Sequence, residues 1–406
     1  MYLKKLFPFV LLFISGIIFA EDSSIKLKLY GFVRNDFYYN SRLNQESLDG
    51  LFYLYPKLID LNSVNQDKNA IPQAEMLSIA SRVGFDINGS PIFGANSSAK
   101  IEADFAGFGT SYYVLRIRQA YAKLNWENTE LLVGQTWHPL FGSVMPTVLS
   151  LNTGAPFQPF NRSPQIRFKQ NLNANLSLTA AAIYQMQYTS QGPLGASASY
   201  IKNAILPNLF LGTEWKSTHW ITGACVDFKT IKPSIEEISS VSAEIYTQYA
   251  NSLLQVKAKA LWGENLSDHQ ILCGYGVSGI NPLNGTSSYT NFNAITSWLN
   301  VVYGTKWQIG TFIGLSQNMG TNSKLFAGSD GKFTAYGCGY NNDTQLLLDR
   351  LYRISPNISY NLSNFKIGIE YDFSSATYGT LETNGKIINP YAVNNHRVVA
   401  SVSYFF

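Results

Sequence analysis

Basic side chains recur on the polar faces of several short, alternating segments of this chain. These basic residues are Arg34, Arg82, Arg116, Arg118, Arg167 and Lys169. Carboxylates share these faces, namely Asp36, Asp86, Glu102 and Asp104. Two interpretations are open. The charges either form ion pairs that hold a wall together, or they form a basic ladder that attracts anions, because a low-dielectric wall focuses its field.

Residue types that support enzymatic chemistry are sparse. The four histidines are His138, His219, His269 and His396. None has the spacing of a nucleophilic or metal-binding motif around it, and there is no Cys-x-x-Cys pair. We therefore predict no catalytic centre, no metal and no cofactor. A hydrolase that uses His138 is the enzymatic alternative.

The elements that carry these residues have the period of β-strands. In "NFKIGIEYDF" (364–373), Ile367 and Ile369 share one face, and Lys366 and Glu370 lie on the other. Similar alternation appears in "IKLKLYGFVRNDFYYN" (25–40), "LSIASRVGFDI" (77–87) and "NLSLTAAAIYQMQY" (175–188). In "LRIRQAYAKLNW" (115–126) the alternation slips near Gln119, which predicts a β-bulge.

The connections between these strands alternate in length. Short ones are predicted at 127–129, 171–173, 216–218, 250–252, 303–305 and 362–364. Long ones are predicted at about 41–75, 138–162, 189–205, 264–291, 318–344 and 379–393. Outer-membrane barrels have short turns at one rim and long loops at the other. With 271–279 counted as part of an outer loop, we predict an all-β, transmembrane antiparallel β-barrel of about sixteen strands.

Composition agrees with a barrel and excludes other classes. Aromatic and charged residues each make up 14% of the chain, and no second long apolar run follows "LFPFVLLFISGIIFA" (6–20). That first run, preceded by Lys4 and Lys5, predicts a signal peptide over residues 1–20 and one barrel domain over 21–406. Without Lys4 and Lys5 the formal charge falls from +4 to +2, which argues against a nucleic-acid partner.

The segment "VVASVSYFF" (398–406) alternates up to a terminal Phe. Tyr404 and Phe406 lie on the apolar face, where a last strand would close the barrel and leave no sheet edge in lipid. This pattern also resembles the recognition signal of bacterial outer-membrane barrels. Tyr404 and Phe406 are therefore predicted to form an assembly signal, with the outer-membrane assembly machinery as the partner.

The long loop at 138–162, which lies in third-loop position, is "HPLFGSVMPTVLSLNTGAPFQPFNR". It contains no Asp or Glu, and its four prolines and its aromatic residues predict a stiff, packed segment. We expect it to fold into the pore and form a constriction, although an outward-facing loop is the alternative. The residues assigned to it are His138, Phe141, Phe157, Phe160 and Arg162.

The three cysteines are Cys225, Cys273 and Cys338. Cys273 and Cys338 fall in consecutive long outer loops, so an external disulfide and two isolated thiols are both open.

The chain resembles the Gram-negative trimeric porins, and among them the dicarboxylate-type (DcaP-like) porins and their Bacteroidetes relatives. The motifs that carry the resemblance are "YGFVRNDFYYNSR" (30–42), "RIRQAYAKL" (116–124), "VGQTWHPLF" (133–141) and "FNRSPQIRF" (160–168). The resemblance implies a sixteen-stranded barrel, usually trimeric, that passes small hydrophilic solutes. It also implies an arginine-lined constriction, which maps onto Arg34, Arg82, Arg116, Arg118, Arg162 and Arg167.

The sequence thus predicts a porin in the outer membrane of a Gram-negative bacterium, with a preference for anions such as carboxylates. The expected partners are outer-membrane lipid, small anionic or polar solutes, and two further copies in a homotrimer. The trimer would rest on barrel-wall contacts and the loop at 41–75. The rival interpretation is a surface barrel that serves adhesion or scaffolding without significant transport.

Overall fold

The computed structural model describes residues 25–47, 50–106, 114–272, 274–337 and 339–406. The predicted signal peptide (1–20), Cys273 and Cys338 lie outside these residues. The segmentation at residue 20 and the pairing of the two cysteines therefore stay predictions. Within the described residues, no helix is long and apolar enough to span a membrane.

The described strands form a closed antiparallel barrel. Its sixteen strands are β1 (Lys26–Asn40), β4 with β5 (Gln73–Leu77 and Arg82–Asn88), β6 (Asn96–Asp104), β7 (Arg116–Asn125), β8 (Thr129–Trp137), β9 (Arg162–Asn171), β10 (Leu176–Ile183), β11 (Asn208–Lys216), β12 (Trp220–Ile231), β13 (Ile238–Ala250), β14 (Leu254–Glu264), β16 (Ser287–Gly304), β17 (Trp307–Thr321), β19 (Leu346–Leu362), β20 (Phe365–Leu381) and β21 (Ile387–Phe405). The remaining strands are β2 (Asn44–Ser47), β3 (Phe52–Pro56), β15 (Gly274–Ile280) and β18 (Ala335–Gly337). The described helical segments are α1 (Ser199–Ala204) and the 3-10 turns Pro139–Phe141 and Ser267–His269.

The first and last barrel strands close the sheet. They pair antiparallel from Phe32 opposite Phe405 to Asn40 opposite Arg397. Beyond this register, Gly31 and Phe406 exchange two backbone hydrogen bonds of 3.0 and 3.1 Å. A Cβ atom at Gly31 would approach the Arg82 backbone carbonyl oxygen to 2.3 Å and the Phe406 ring to 2.7 Å, so the close approach of the neighbouring strand requires glycine there. The aromatic end of the chain is therefore part of the barrel seam.

The two faces of the strands differ as predicted. On β20, Ile367 and Ile369 are 43% and 53% exposed on the outer wall, and Glu370 is buried on the inner wall. On β21, Tyr404 is exposed on the outside and Arg397 is buried inside, and Phe406, which follows the strand, is also exposed. Because apolar side chains face outwards along every barrel strand, the wall is suited to lipid, which agrees with the predicted outer-membrane location.

Two long segments at the long-loop end fold back into the barrel. Loop L1 (residues 41–72) contains β2 and β3, which pair with each other, and Phe52, Tyr53 and Leu54 are buried. Loop L3 (residues 138–161) is the predicted third loop, and its inward fold is confirmed. Strand β15 pairs with β18 and with the first residues of β16, so the segment 271–279 belongs to the outer loops, as predicted.

Three local predictions can be compared with the structure. The bulge near Gln119 is confirmed, because the register of β6 and β7 shifts beside Glu102. The prediction of a single strand over 77–87 is wrong, because a turn at residues 78–81 separates β4 from β5. Ile79 lies in this turn and is buried in the interior. The prediction of a long loop at 379–393 is also wrong, because β20 and β21 extend into this range and are joined by a short turn at 382–386.

The extension of β20 and β21 has a packing reason. Tyr378 on β20 is buried against loop L1, and its hydroxyl donates a 2.7 Å hydrogen bond to the Pro56 carbonyl. The two strands therefore rise past the barrel rim because the inserted loop L1 covers their inner face.

Candidate functional site

Loop L3 crosses the lumen and is bound to the wall along its length. At its root, Lys259 on β14 donates hydrogen bonds to the carbonyls of Leu140 and Phe141, at 3.2 and 2.9 Å. Further along, Lys257 donates to Thr147 Oγ1 at 2.8 Å. These ammonium groups satisfy loop oxygens that would otherwise be buried without partners.

The tip of loop L3 is clamped by side chains of β20 and β1. The Glu370 carboxylate on β20 accepts hydrogen bonds from the backbone N–H groups of Leu149 and Ser150, at 2.7 and 3.0 Å. Arg34 on β1 donates to the Leu149 carbonyl at 2.5 Å and forms an ion pair with Asp36 at 2.6 Å. One dipeptide of the loop is thus held by a carboxylate and a guanidinium from two strands.

Loop L1 is held by buried arginines that donate to backbone carbonyls. Arg353 on β19 contacts the Leu54 carbonyl at 2.5 Å and the Ala155 carbonyl of loop L3 at 3.0 Å. Arg397 on β21 donates to the Gly50 carbonyl at 3.0 Å. These two arginines therefore join the loops to the wall.

Two cavities remain on either side of the root of loop L3. The lower cavity, nearer the short turns, has a volume of about 330 Å³ and is lined by Glu130, Trp137, His138, Arg167, Lys169, Glu214 and Tyr246 with neighbouring residues. The upper cavity has a volume of about 190 Å³ and is lined by Arg82, Asp104, Arg116, Arg118, Trp137, Phe141 and Phe160 with neighbouring residues. Trp137 contributes to both cavities.

An aromatic partition, formed by Trp137, Phe141 and Phe160, separates the two cavities. The rings of Trp137 and Phe141 stack at a centroid distance of 3.9 Å with an interplanar angle of 11°. The Phe160 ring meets Trp137 edge-on at 5.0 Å. A solute that moved between the cavities would pass this partition.

The upper cavity is bordered by an arginine cluster, which we define as Arg82, Arg116, Arg118 and Arg162 with the carboxylates of Glu102 and Asp104. Arg118 bridges both carboxylates at 2.8 Å, and Arg116 contacts Asp104 at 2.8 Å. Arg82 lies 3.7 Å from Glu102. Four guanidinium groups thus face two carboxylates, which leaves a formal charge of +2.

Arg162 is the member of the cluster without a carboxylate at ion-pair distance among the described residues. It is 1% exposed, and its guanidinium lies over the rings of Trp137 and Phe160, at 4.6 and 5.6 Å. Stacking on aromatic faces stabilises a guanidinium without neutralising it. Arg162 therefore adds a positive charge directly to the aromatic partition.

The basic residues continue along β9 towards the short turns. Arg167 and Lys169 lie four and two residues from Asn171, where β9 ends, and both line the lower cavity. Arg167 is 3.7 Å from Glu130. Basic side chains on β9 therefore continue from the arginine cluster to the lower cavity, where Glu130 and Glu214 balance the formal charge of Arg167 and Lys169.

The structure distributes the sequence-predicted residues over different roles. Arg82, Arg116, Arg118, Arg162, Arg167 and Lys169 border the two cavities or the partition, and Arg34 with Asp36 holds the tip of loop L3. His138, Phe141, Phe157 and Phe160 are buried in loop L3. Asp86 pairs with Lys100 at 2.9 Å rather than with Arg82.

Sequence reasoning did not identify Arg353 or Trp137. Arg353 lies on the inner face of β19, and strand alternation would have placed it there. Its role depends on the positions of Leu54 and Ala155, which are remote in sequence. Trp137 is the last residue of β8, beside the predicted loop. At that position the alternation of polar and apolar residues ends, so the sequence does not show whether the ring faces the lumen or the lipid.

The fold is similar to that of solved outer-membrane channels. The outer-membrane channel DcaP of Acinetobacter baumannii matches with a TM-score of 0.68 at 19% identity, over 94% of this chain and 98% of that one. An anion-selective porin from Comamonas acidovorans matches with a TM-score of 0.54 at 9% identity, over 94% and 100%. OmpF of Salmonella typhi matches with a TM-score of 0.54 at 11% identity, over 94% and 98%.

No family model and no curated protein matches this chain. The structural likeness establishes the porin fold, as the sequence resemblance predicted. At these identities the likeness extends to the fold and not to the solute.

Proposed function

We propose that this chain, which has the fold of the Gram-negative porins, is an outer-membrane channel for passive diffusion of small hydrophilic solutes and prefers anions such as carboxylates. The observation that carries the proposal is the formal charge of +2 on the arginine cluster beside the upper cavity. Arg167 and Lys169 continue the basic side chains to the lower cavity, where Glu130 and Glu214 balance their formal charge.

The inward loops make this charge effective. Charges in open solution are screened within about 8 Å at physiological salt, so a basic wall matters only where the passage is narrow. Loops L1 and L3 fill much of the lumen and leave the solute beside the arginine cluster. A low-dielectric protein wall then strengthens its attraction for anions.

The remaining features fit a channel in a membrane. The apolar outer wall fits outer-membrane lipid, and the seam formed by Gly31 and Phe406 fits the expected engagement of the assembly machinery. We assign no catalytic role to the barrel. A homotrimer is proposed because a structural neighbour, OmpT of Vibrio cholerae, is described in a trimer form. Residues 57–71 of loop L1 are largely exposed and are available for contact between copies.

Reversal potentials in a planar lipid bilayer under a potassium chloride gradient test the proposal. We expect anion preference for the unmodified protein and a shift towards cations for Arg116→Gln, because Arg116 borders the upper cavity. The double variant Arg162→Glu and Arg167→Glu should shift further. Arg350→Gln is the matched control, because Arg350 is exposed and bonds Gln317 on the outer wall.

Cation preference of the unmodified protein would contradict the anion preference and leave the channel intact. Absence of conductance from folded protein would instead favour a surface barrel without transport.

A further inference from the structure

Five buried ionisable residues join the root of loop L3 to the barrel wall and to an outer loop. They are His138 on loop L3, Asp227 and Lys229 on β12, and Asp268 and His269 in the segment 265–272. None is more than 5% exposed. The Lys229 ammonium lies 2.5 Å from Asp268 Oδ1, and the two imidazole rings meet edge-on at a centroid distance of 4.5 Å.

Hydrogen bonding fixes the protonation state of His138 in this arrangement. Its Nδ1 atom accepts a 3.2 Å hydrogen bond from the backbone N–H of Leu140. A neutral imidazole with Nδ1 as acceptor carries its proton on Nε2, which lies 3.7 Å from Asp227 Oδ1. A second proton on the ring would go to Nδ1, and the new Nδ1–H group would then face the Leu140 N–H group, so that two donors would oppose each other. Protonation of His138 therefore removes the hydrogen bond to Leu140.

The hydrogen bond to Leu140 caps the 3-10 turn Pro139–Phe141, and that turn carries one ring of the aromatic partition. The backbone N–H of His138 also donates to Asn161 at 3.0 Å, and that of Phe160 donates to the His269 carbonyl at 3.0 Å. Both ends of loop L3 thus meet at the histidine pair. A displacement of His138 is transmitted directly to Phe141 and Phe160.

We propose that His138 is a proton-sensitive latch of loop L3, whose protonation releases the turn Pro139–Phe141 and narrows the passage between the two cavities. The effect on conductance rests on the proposed channel function. With both imidazoles neutral, one lysine faces two aspartates and the five groups carry a formal charge of −1. Two additional protons reverse this to +1. Mutual repulsion of the two imidazolium rings, together with repulsion from Lys229, then displaces the root of the loop from the wall.

The charges around His138 set the direction of the pH dependence. On the wall side it faces Asp227 and Lys229, and on the outer-loop side Asp268 and His269. On the lumen side, the lower cavity also contains Glu130, Glu214, Arg167, Lys169 and Tyr246. Burial, followed by His269 and Lys229, lowers the pKa of His138 well below 6.5. Burial lowers the pKa of His269 to about 4.

The docked loop therefore holds both imidazoles neutral. Because their pKa values are lower in the docked state than in a solvated one, the two imidazoles stabilise docking fully above pH 6.5, and this contribution weakens as the pH falls below it.

The test compares unmodified protein with His138→Asn at about pH 7 and about pH 4. The asparagine oxygen can still accept from the Leu140 N–H, because asparagine is a favoured capping residue, but it takes up no proton. His219→Asn is the control, since His219 lies exposed at a short turn. We expect single-channel conductance to fall at the lower pH in the unmodified protein and the control, and not in His138→Asn.

A second measurement does not depend on conductance. Hydrogen exchange of a peptide that spans 138–142, corrected for the intrinsic effect of pH and compared with a peptide from β12, should show acid-induced loss of protection in the unmodified protein. Unchanged protection, or an equal response in His138→Asn, would overturn the latch. If the protein conducts at neither pH, the channel function fails, and hydrogen exchange still decides the latch.

Discussion

The clamp on the tip of loop L3 gives a prediction whose size can be worked from two contacts. Glu370 accepts from the N–H groups of Leu149 and Ser150, at 2.7 and 3.0 Å, and is 1% exposed. A buried N–H group that loses its acceptor costs about 1–3 kcal/mol. Glu370→Ala should therefore weaken docking of the tip by roughly 2–6 kcal/mol, the sum for the two N–H groups. Glu370→Gln keeps one acceptor oxygen and should lose about half of that.

These energies translate into a measurable population of released tip. About 1.4 kcal/mol corresponds to a tenfold change in an equilibrium, so the loss of roughly 3 kcal/mol lowers the docked-to-released ratio by about a hundredfold. Arg34 still holds the Leu149 carbonyl, so we expect local release of the tip and an intact barrel.

Hydrogen exchange of a peptide that covers 147–151 is the direct assay. Protection should fall most in Glu370→Ala, by an intermediate amount in Glu370→Gln, and not at all in Glu237→Ala. Glu237 is the matched control because it lies in the outer turn between β12 and β13, 3.8 Å from Lys232 and remote from loop L3. Single-channel conductance should rise in the same order. Equal protection in all four proteins would refute the clamp.

Three further predictions concern the wall, the seam and the inserted loops. Ile369→Arg on the lipid face should lower the free energy of unfolding by about 2–4 kcal/mol in a urea titration, and Lys366→Arg on the inner face should be nearly neutral; equal tolerance would mean that the faces are wrongly assigned. Deletion of Phe406 removes two hydrogen bonds to Gly31, so less heat-modifiable barrel should reach the outer membrane, and normal amounts would contradict its role in assembly. Arg353→Met removes hydrogen-bond donors to loops L1 and L3 and should increase proteolysis of loop L1 while the barrel is still folded. Cleavage of loop L1 only when the barrel itself unfolds would contradict the idea that Arg353 anchors the loop independently of barrel stability.

The barrel could be predicted because the alternation that marks its strands is visible within short stretches of sequence. A lipid-facing wall requires period-2 alternation along every strand, and the alternation on β20 and β21 placed Ile369, Glu370 and Arg397 on the correct faces. Turn lengths gave the strand count. Local pattern failed at residues 78–81, where a turn interrupts an otherwise alternating segment, and at 382–386, where a tertiary contact lengthens two strands.

The site could be predicted in part. Alternation located Arg82, Arg116 and Arg118 on the inner wall, but it could not tell which charges cancel. Arg34 is neutralised by a neighbour two residues away, whereas Arg162 rests on aromatic rings and keeps its charge. The inward fold of loop L1 left no sequence signal, because its anchors are backbone carbonyls, which every residue has.

The last strand, β21, also binds loop L1, which follows the first strand. On β21, Asn395 accepts from the backbone of Ser41 and Arg42 where loop L1 begins, and Arg397 holds the Gly50 carbonyl further along it. Strand β21 is therefore both the closing edge of the sheet and the docking wall of the first loop. Until that strand arrives, loop L1 can bind Arg353 and Tyr378 but lacks the contacts that hold residues 41, 42 and 50. Completion of the cylinder and shaping of its interior are consequently coupled in folding, so a defect in the seam should alter the bore as well as the yield.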